Sequence, residues 1–95
     1  MPQVDTPVKE RRDTGSGLGA VWRVIVLNDD HNTFDGVAAA LARTLPGMTF
    51  ATGMVFATQI HNRGLAIVWS GQHELAEHYW EALRGEGLTM APLEQ

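Results

Sequence analysis

From residue 21 onward, short blocks rich in β-branched residues alternate with longer blocks in which apolar positions recur every three or four residues. Val21-Trp22-Arg23-Val24-Ile25-Val26-Leu27 has the length and composition of a strand and ends at the turn-forming Asn28-Asp29-Asp30. Phe34, Val37, Ala38, Leu41, Ala42 and Leu45 then fall at helical spacing. Thr33 or Asn32 can cap this first helix, Asp35 suits the positive end of its dipole, and Pro46-Gly47 stops it. A second helix is predicted from Thr49 to about Asn62 with Gly64 as its stop, and Gly53 inside it costs roughly 1 kcal/mol relative to Ala. Leu65-Ala66-Ile67-Val68-Trp69-Ser70 reads as a second strand between glycines. From Glu74 to Arg84, Leu75, Ala76, Tyr79, Trp80 and Leu83 form one stripe and predict a third helix, ended by Gly85 and Gly87. A last short strand is predicted over Leu88 to Leu93, where Pro92 suits a sheet edge. The order β-α-α-β-α-β argues for an α+β domain, a small three-stranded antiparallel sheet with three helices packed on one face.

The length of 95 residues supports one core, placed over residues 21–95, because a second would bury too little surface. Residues 1–20 are Pro, Gly, Ser, Thr and charge with almost nothing to bury, and read as a flexible N-terminal extension. Seven Lys and Arg against eleven Asp and Glu give a net charge of -4, which repels a phosphate backbone and argues against nucleic acid as a partner. The absence of Cys excludes disulfides, thiolate catalysis and Cys-ligated zinc. Apolar runs such as Val24 to Leu27 and Leu65 to Trp69 fall far short of the ~20 residues of a membrane span, and residues 1–20 lack the apolar region of a signal peptide. A cytoplasmic protein without membrane contact is expected.

The densest polar cluster, Asn28-Asp29-Asp30-His31-Asn32, lies where the first strand gives way to the first helix. Alone, it is accounted for by turn and cap chemistry. His61, on or beside the stripe of Met54, Ala57 and Ile60 near the end of the second helix, is likewise compatible with a half-buried core histidine. Together they describe something narrower. An ammonium has three N–H donors and no acceptor, so a carboxylate, an amide oxygen and a neutral imidazole nitrogen complete it, and an apolar hollow beside them takes a side chain. Asp30, Asn28 and His61 supply those groups, and the ligand they describe is an α-amino group with its N-terminal side chain.

Enzymatic readings are poorer. His31, His61, His73 and His78 with Asp29, Asp30 and Asp35 offer ligand types without ligand spacing: His73 and His78 stand five apart and no His-Glu-x-x-His occurs. Asp29-Asp30-x-Asn32 lacks the spacing and closing Glu of a calcium loop. Gly-x-Ser-x-Gly is absent, and Gly15-x-Gly17-x-Gly19 precedes a strand instead of following one. No catalysis, metal or cofactor is expected.

Asn28-Asp29-Asp30 followed by Asn32-Thr33-Phe34, then Gln59-Ile60-His61-Asn62-Arg63-Gly64 leading into a strand, and Gly87-Leu88-Thr89-Met90 near the end, resemble ClpS, the N-degron adaptor family of the Clp proteases, from about Val21 to Glu94. The resemblance implies that Asn28, Asp30 and His61, with Asp29 adjoining them, hold the α-amino group of a destabilising N-terminal residue. It implies that Asn32, with Thr33 beside it, touches the bound peptide's backbone. Phe34, Val37, Ala57, Ile60 and Met90 match positions around a side-chain pocket, which in the family receives Leu, Phe, Tyr or Trp. The implied partners are N-degron substrates and the N-terminal domain of a ClpA- or ClpC-like AAA+ unfoldase, docked on the third helix with Glu74 near its start. Residues 1–20 resemble the extension that the family presents to the unfoldase. Two positions depart from the pattern. Ala57 replaces a bulky Met that gates the pocket in many relatives, which should widen the entrance and admit Ile or Val. Tyr79 falls near where relatives tend to carry a Lys in the docking helix. The competing expectation is a generic protein-interaction domain that does not read amino termini.

Overall fold

A computed structural model describes residues 20–95, so the expected extension lies outside the described residues but for Ala20. The elements are β1 (Trp22–Leu27), α1 (Phe34–Thr44), α2 (Phe50–Arg63), β2 (Leu65–Gly71) and α3 (His73–Gly85). Of the two candidate caps for α1, Thr33 is used: its Oγ1 accepts from the Gly36 N–H at 2.9 Å. Thr49 caps α2 in the same way through the Thr52 N–H at 3.1 Å. Gly64 closes α2 in the left-handed region at φ 89°, its N–H bonded to the Ile60 carbonyl, and the chain turns straight into β2.

β1 and β2 pair antiparallel, Trp22 opposite Gly71 and Leu27 opposite Leu65. The register slips once: Val24 faces Trp69 and Ile25 faces Ile67, leaving Val68 as a bulge. Opposed residues point to the same side, so the bulge turns Trp69 toward the helices, where its ring meets Tyr79 of α3 edge-on with centroids 4.9 Å apart. Gly71 leaves room for that indole, since a Cβ there would stand 2.6 Å from its tip.

The third strand expected over Leu88 to Leu93 is a correction. This segment runs along β1 but forms only two isolated antiparallel bridges, Val26 with Met90 and Arg23 with Glu94. Three steps along β1 match four along the segment, so the bridges are one residue out of register. Pro92 lies in that slip and has no N–H to donate to a ladder. The contact is still firm, with Leu27 N to Thr89 O at 2.8 Å, Ala91 N to Ile25 O at 3.1 Å and Arg23 N to Glu94 O at 2.7 Å.

One buried cluster joins Val24, Val26, Ala66 and Val68 of the sheet to Leu41 of α1, Ile60 of α2 and Leu83 of α3, so all three helices cover one face as expected. Leu75 departs from its expected stripe and is exposed. Gly53 explains its own cost. A Cβ there would lie 2.8 Å from the Ala38 carbonyl oxygen and 2.9 Å from Ala38 Cα, so the bare backbone lets α1 and α2 cross in close contact. Gly53→Ala is expected to destabilise the domain by about 1–2 kcal/mol, because overpacking against rigid backbone outweighs the helix propensity gained. Gly85→Ala, where a Cβ meets nothing within 4 Å, is expected to be neutral or better. Denaturant midpoints of the two variants check both expectations.

Candidate functional site

The β1–β2 ladder itself assembles the site. Beyond the Leu27–Leu65 rung, the Asn28 N–H donates to the Gly64 carbonyl at 2.9 Å, so the turn after β1 and the last turn of α2 are neighbours. His61 lies three residues before Gly64 and joins Asn28 at one hollow. The hollow is open to solvent. Its apolar wall is Val26, Val37, Ala57, Ile60 and Leu88, with Phe34 at 39% exposure. Phe34 leans on the His61 ring, centroids 5.2 Å apart and planes tilted by 58°. Ala57 is buried at 4% exposure and lines the hollow.

Asp29 anchors the polar side. Its Oδ1 accepts from the His31 N–H at 3.1 Å and the Asn32 N–H at 2.8 Å; its Oδ2 accepts from Asn32 Nδ2 at 2.7 Å and Thr89 Oγ1 at 2.8 Å. Its side chain is 11% exposed. Desolvation by burial pushes this carboxyl up, but the Asn32 backbone and side chain, Thr89 and the His31 backbone together hold it well below the usual carboxylate range. Four donors fill the capacity of one carboxylate, so Asp29 acts on a ligand through fixed negative charge and not through a free lone pair.

The remaining expected residues divide. Asn28 and His61 line the hollow, and among the described residues neither side chain has a hydrogen-bond partner. Asn32 and Thr33 also line it, though the Thr33 hydroxyl oxygen is engaged in capping α1. Asp30 stands outside the lining with its side chain fully exposed, 3.6 Å from His31 Nδ1. Met90 is likewise absent from the lining; it is half-buried and packed against the core where it bridges Val26. Glu74 is exposed in the first turn of α3, apart from the hollow. Tyr79 is half-buried beneath Trp69, which gives it a packing role.

Val26, Leu27, Leu88 and Thr89 are lining residues that sequence reasoning did not single out. Thr89 sits in the Gly87-Leu88-Thr89-Met90 stretch, but its partner Asp29 is 60 positions away, a distance that local pattern does not reach. Among the described residues, no group of three or more His, Asp and Glu is placed to hold a metal ion. No helix among them is long and apolar enough to cross a membrane.

A small α+β domain with an apolar hollow rimmed by amide and imidazole groups that have no partner among the described residues has the form of a ligand-binding module. The sequence model of the ATP-dependent Clp protease adaptor protein ClpS matches residues 19–93, and the chain belongs to the ClpS family. It is 54% identical over 74 residues to the ATP-dependent Clp protease adapter protein ClpS of Synechocystis sp., covering 78% of this chain and 76% of that protein. To the ClpS of Nostoc sp. it is 53% identical over 73 residues, 77% of this chain and 75% of that one. The solved structure of Agrobacterium tumefaciens ClpS2 bound to L-phenylalaninamide superposes with a TM-score of 0.72 at 24% identity, covering 78% of this chain and 94% of that one, which establishes the shared fold.

Because the Asp29 carboxyl is depressed in the folded state, its contribution to stability is present above the unfolded value of about 4 and is lost as pH falls below it. Thr89→Val removes one of the lowering bonds and is expected to cost about 1 kcal/mol at neutral pH. The same change should shift the Asp29 titration upward toward the ordinary range. Carboxyl NMR titration together with denaturant melts at pH 7 checks both.

Proposed function

We propose that this ClpS-family chain binds the free α-amino group and first side chain of N-degron proteins and delivers them to a Clp AAA+ unfoldase. It would do so in the cytoplasm, as a non-catalytic adaptor. The supporting observation is that Asn28 and His61, brought together from two stretches of chain, line the same hollow without a hydrogen-bond partner among the described residues, beside ionised Asp29 and an apolar wall. Asn28 Oδ1 and a His61 ring nitrogen accept two of the ammonium hydrogens, and water or the Asp30 carboxylate at the rim takes the third. Asp29, saturated by its own bonds, contributes a fixed negative charge that favours a cation without moving. The first side chain enters between Phe34, Val37, Ala57 and Ile60. The free amine and side chain of the ligand bound to Agrobacterium ClpS2 are of the same chemical kind. On this reading the unfoldase's N-terminal domain meets the exposed start of α3 around Glu74.

Titration of a Leu- or Phe-starting peptide and its N-acetylated twin tests the proposal. Acetylation removes charge and donors together and is expected to abolish binding, whereas a generic interaction surface that ignores amino termini would bind both alike. His61→Ala is expected to weaken binding of the free peptide about 10- to 100-fold, the scale of one hydrogen bond to a charged group. Ala57→Met fills the wall of the hollow, so it should favour Leu-starting over Ile-starting peptides relative to the parent. An unchanged Leu/Ile preference would show that residue 57 does not set the shape of the hollow.

A further inference from the structure

We infer that the outer edge of β2 pairs with the same edge of a second copy of this chain, antiparallel about a two-fold axis, so that two domains share one continuous sheet. The pairing requires nothing of the hollow or its ligand.

In an antiparallel ladder, alternate residues of a strand bond to opposite neighbours. The Arg23 N–H, the Ile25 carbonyl and the Leu27 N–H of β1 are spent on the segment after α3. The ladder to β2 therefore runs through Trp22, Val24 and Val26, which stand opposite Gly71, Trp69 and Ala66. Opposite Arg23, Ile25 and Leu27 stand Ser70, Ile67 and Leu65, so the N–H and C=O groups of these three turn away from β1 to the far side of β2. No strand or loop among the described residues bonds to them there.

Folded proteins blunt such an edge with charge, proline or irregular backbone. The segment on the other side of β1 is guarded in this way, by Pro92, Glu94 and the slip in its register. β2, Leu-Ala-Ile-Val-Trp-Ser-Gly, carries neither charge nor proline, and its bulge at Val68 leaves Leu65 to Ile67 regular. Leu65 and Ile67 alternate with buried Ala66, so both side chains lie on the face away from the helices, each 45% exposed. A two-fold pairing is self-complementary: it lays the Leu65 end of each strand along the Ser70 end of the other and gathers Leu65 and Ile67 of both copies on one face. Charge favours the same occupant. Arg63, exposed at the end of α2 just before β2, comes beside the start of the partner's α3, where Glu74 and Glu77 are exposed, and the axis repeats the match. Among the described residues Arg63 has no carboxylate in ion-pair range. A parallel pairing would instead set Arg63 beside its own copy.

Sedimentation of the full chain between about 1 µM and about 1 mM tests the pairing. The mass is expected to rise from one chain to two, at the high end of that range because an interface this small belongs with weak associations. As the dimer forms, amide exchange at Leu65, Ile67 and Ser70 should slow by about 10-fold or more. Ile67→Lys, a change outside the core, is expected to raise the dissociation constant at least about 10-fold, with Leu65→Lys as the second variant should the first disturb folding. Arg63→Glu should weaken the pair by about 3- to 10-fold, and Arg63→Glu combined with Glu74→Arg should recover most of that loss. A mass of one chain at about 1 mM overturns the inference, and so does a dimer indifferent to both lysine variants. A charge swap no tighter than Arg63→Glu alone overturns the antiparallel arrangement. Protection of the three amides that does not vary with concentration also overturns it, and assigns the edge to a segment of the same chain.

Discussion

Withdrawing a carboxylate from water costs several kcal/mol unless donors replace the hydration it loses, and the corner of the molecule that holds the hollow is arranged around meeting that requirement at Asp29. Two of the donors are backbone N–H groups of the turn that follows β1, one is the Asn32 amide and one is Thr89, far along the chain. The same bonds that keep the carboxylate ionised therefore tie the turn to the segment after α3. Asn32 extends the tie by donating to the Gly87 carbonyl, and Arg43 of α1 pairs with Glu86 on the outside of the same junction. Charge, turn shape and the closure of the hollow depend on one another, so none can change alone.

The second requirement is proximity, and the sheet meets it. An antiparallel ladder that pairs Leu27 with Leu65 must place residue 28 opposite residue 64, and a left-handed Gly64 is what allows α2 to stop there and become β2 without a loop. His61 is carried to Asn28 by register, with no contact between the two side chains needed to hold it. Close crossing of α1 and α2 over Gly53 draws Phe34, Val37, Ala57 and Ile60 into one wall.

Much of this was legible in the sequence, for reasons that can be stated. Caps, glycine stops and apolar spacing are local, and the cap at Thr33, the stop at Gly64 and the three helices followed from them, with Thr49 turning out to be the cap of α2 and not its first residue. The union of Asn28 with His61 followed from asking which ligand an amide, an acid and an imidazole would jointly complete. What stayed hidden was tertiary. Thr89 gains its meaning only from a carboxylate brought to it by the fold. The bulge at Val68 is invisible because a β-branched residue there reads as ordinary strand, and the slip near Pro92 depends on where β1 lies. The sequence points to Asp30 as the acid beside the amide and imidazole, whereas the structure buries its neighbour Asp29 and leaves the Asp30 side chain in solvent.

The bulge has a spectroscopic corollary. By turning Trp69 to the helix side it places that indole against Tyr79, while Trp22 stacks on His73 and Trp80 donates its Nε1–H to the Ala91 carbonyl. All three tryptophans thus cluster about α3, and none borders the hollow. Intrinsic emission of this protein is a built-in reporter of events on α3, and it should stay dark to occupancy at the opposite end of β1.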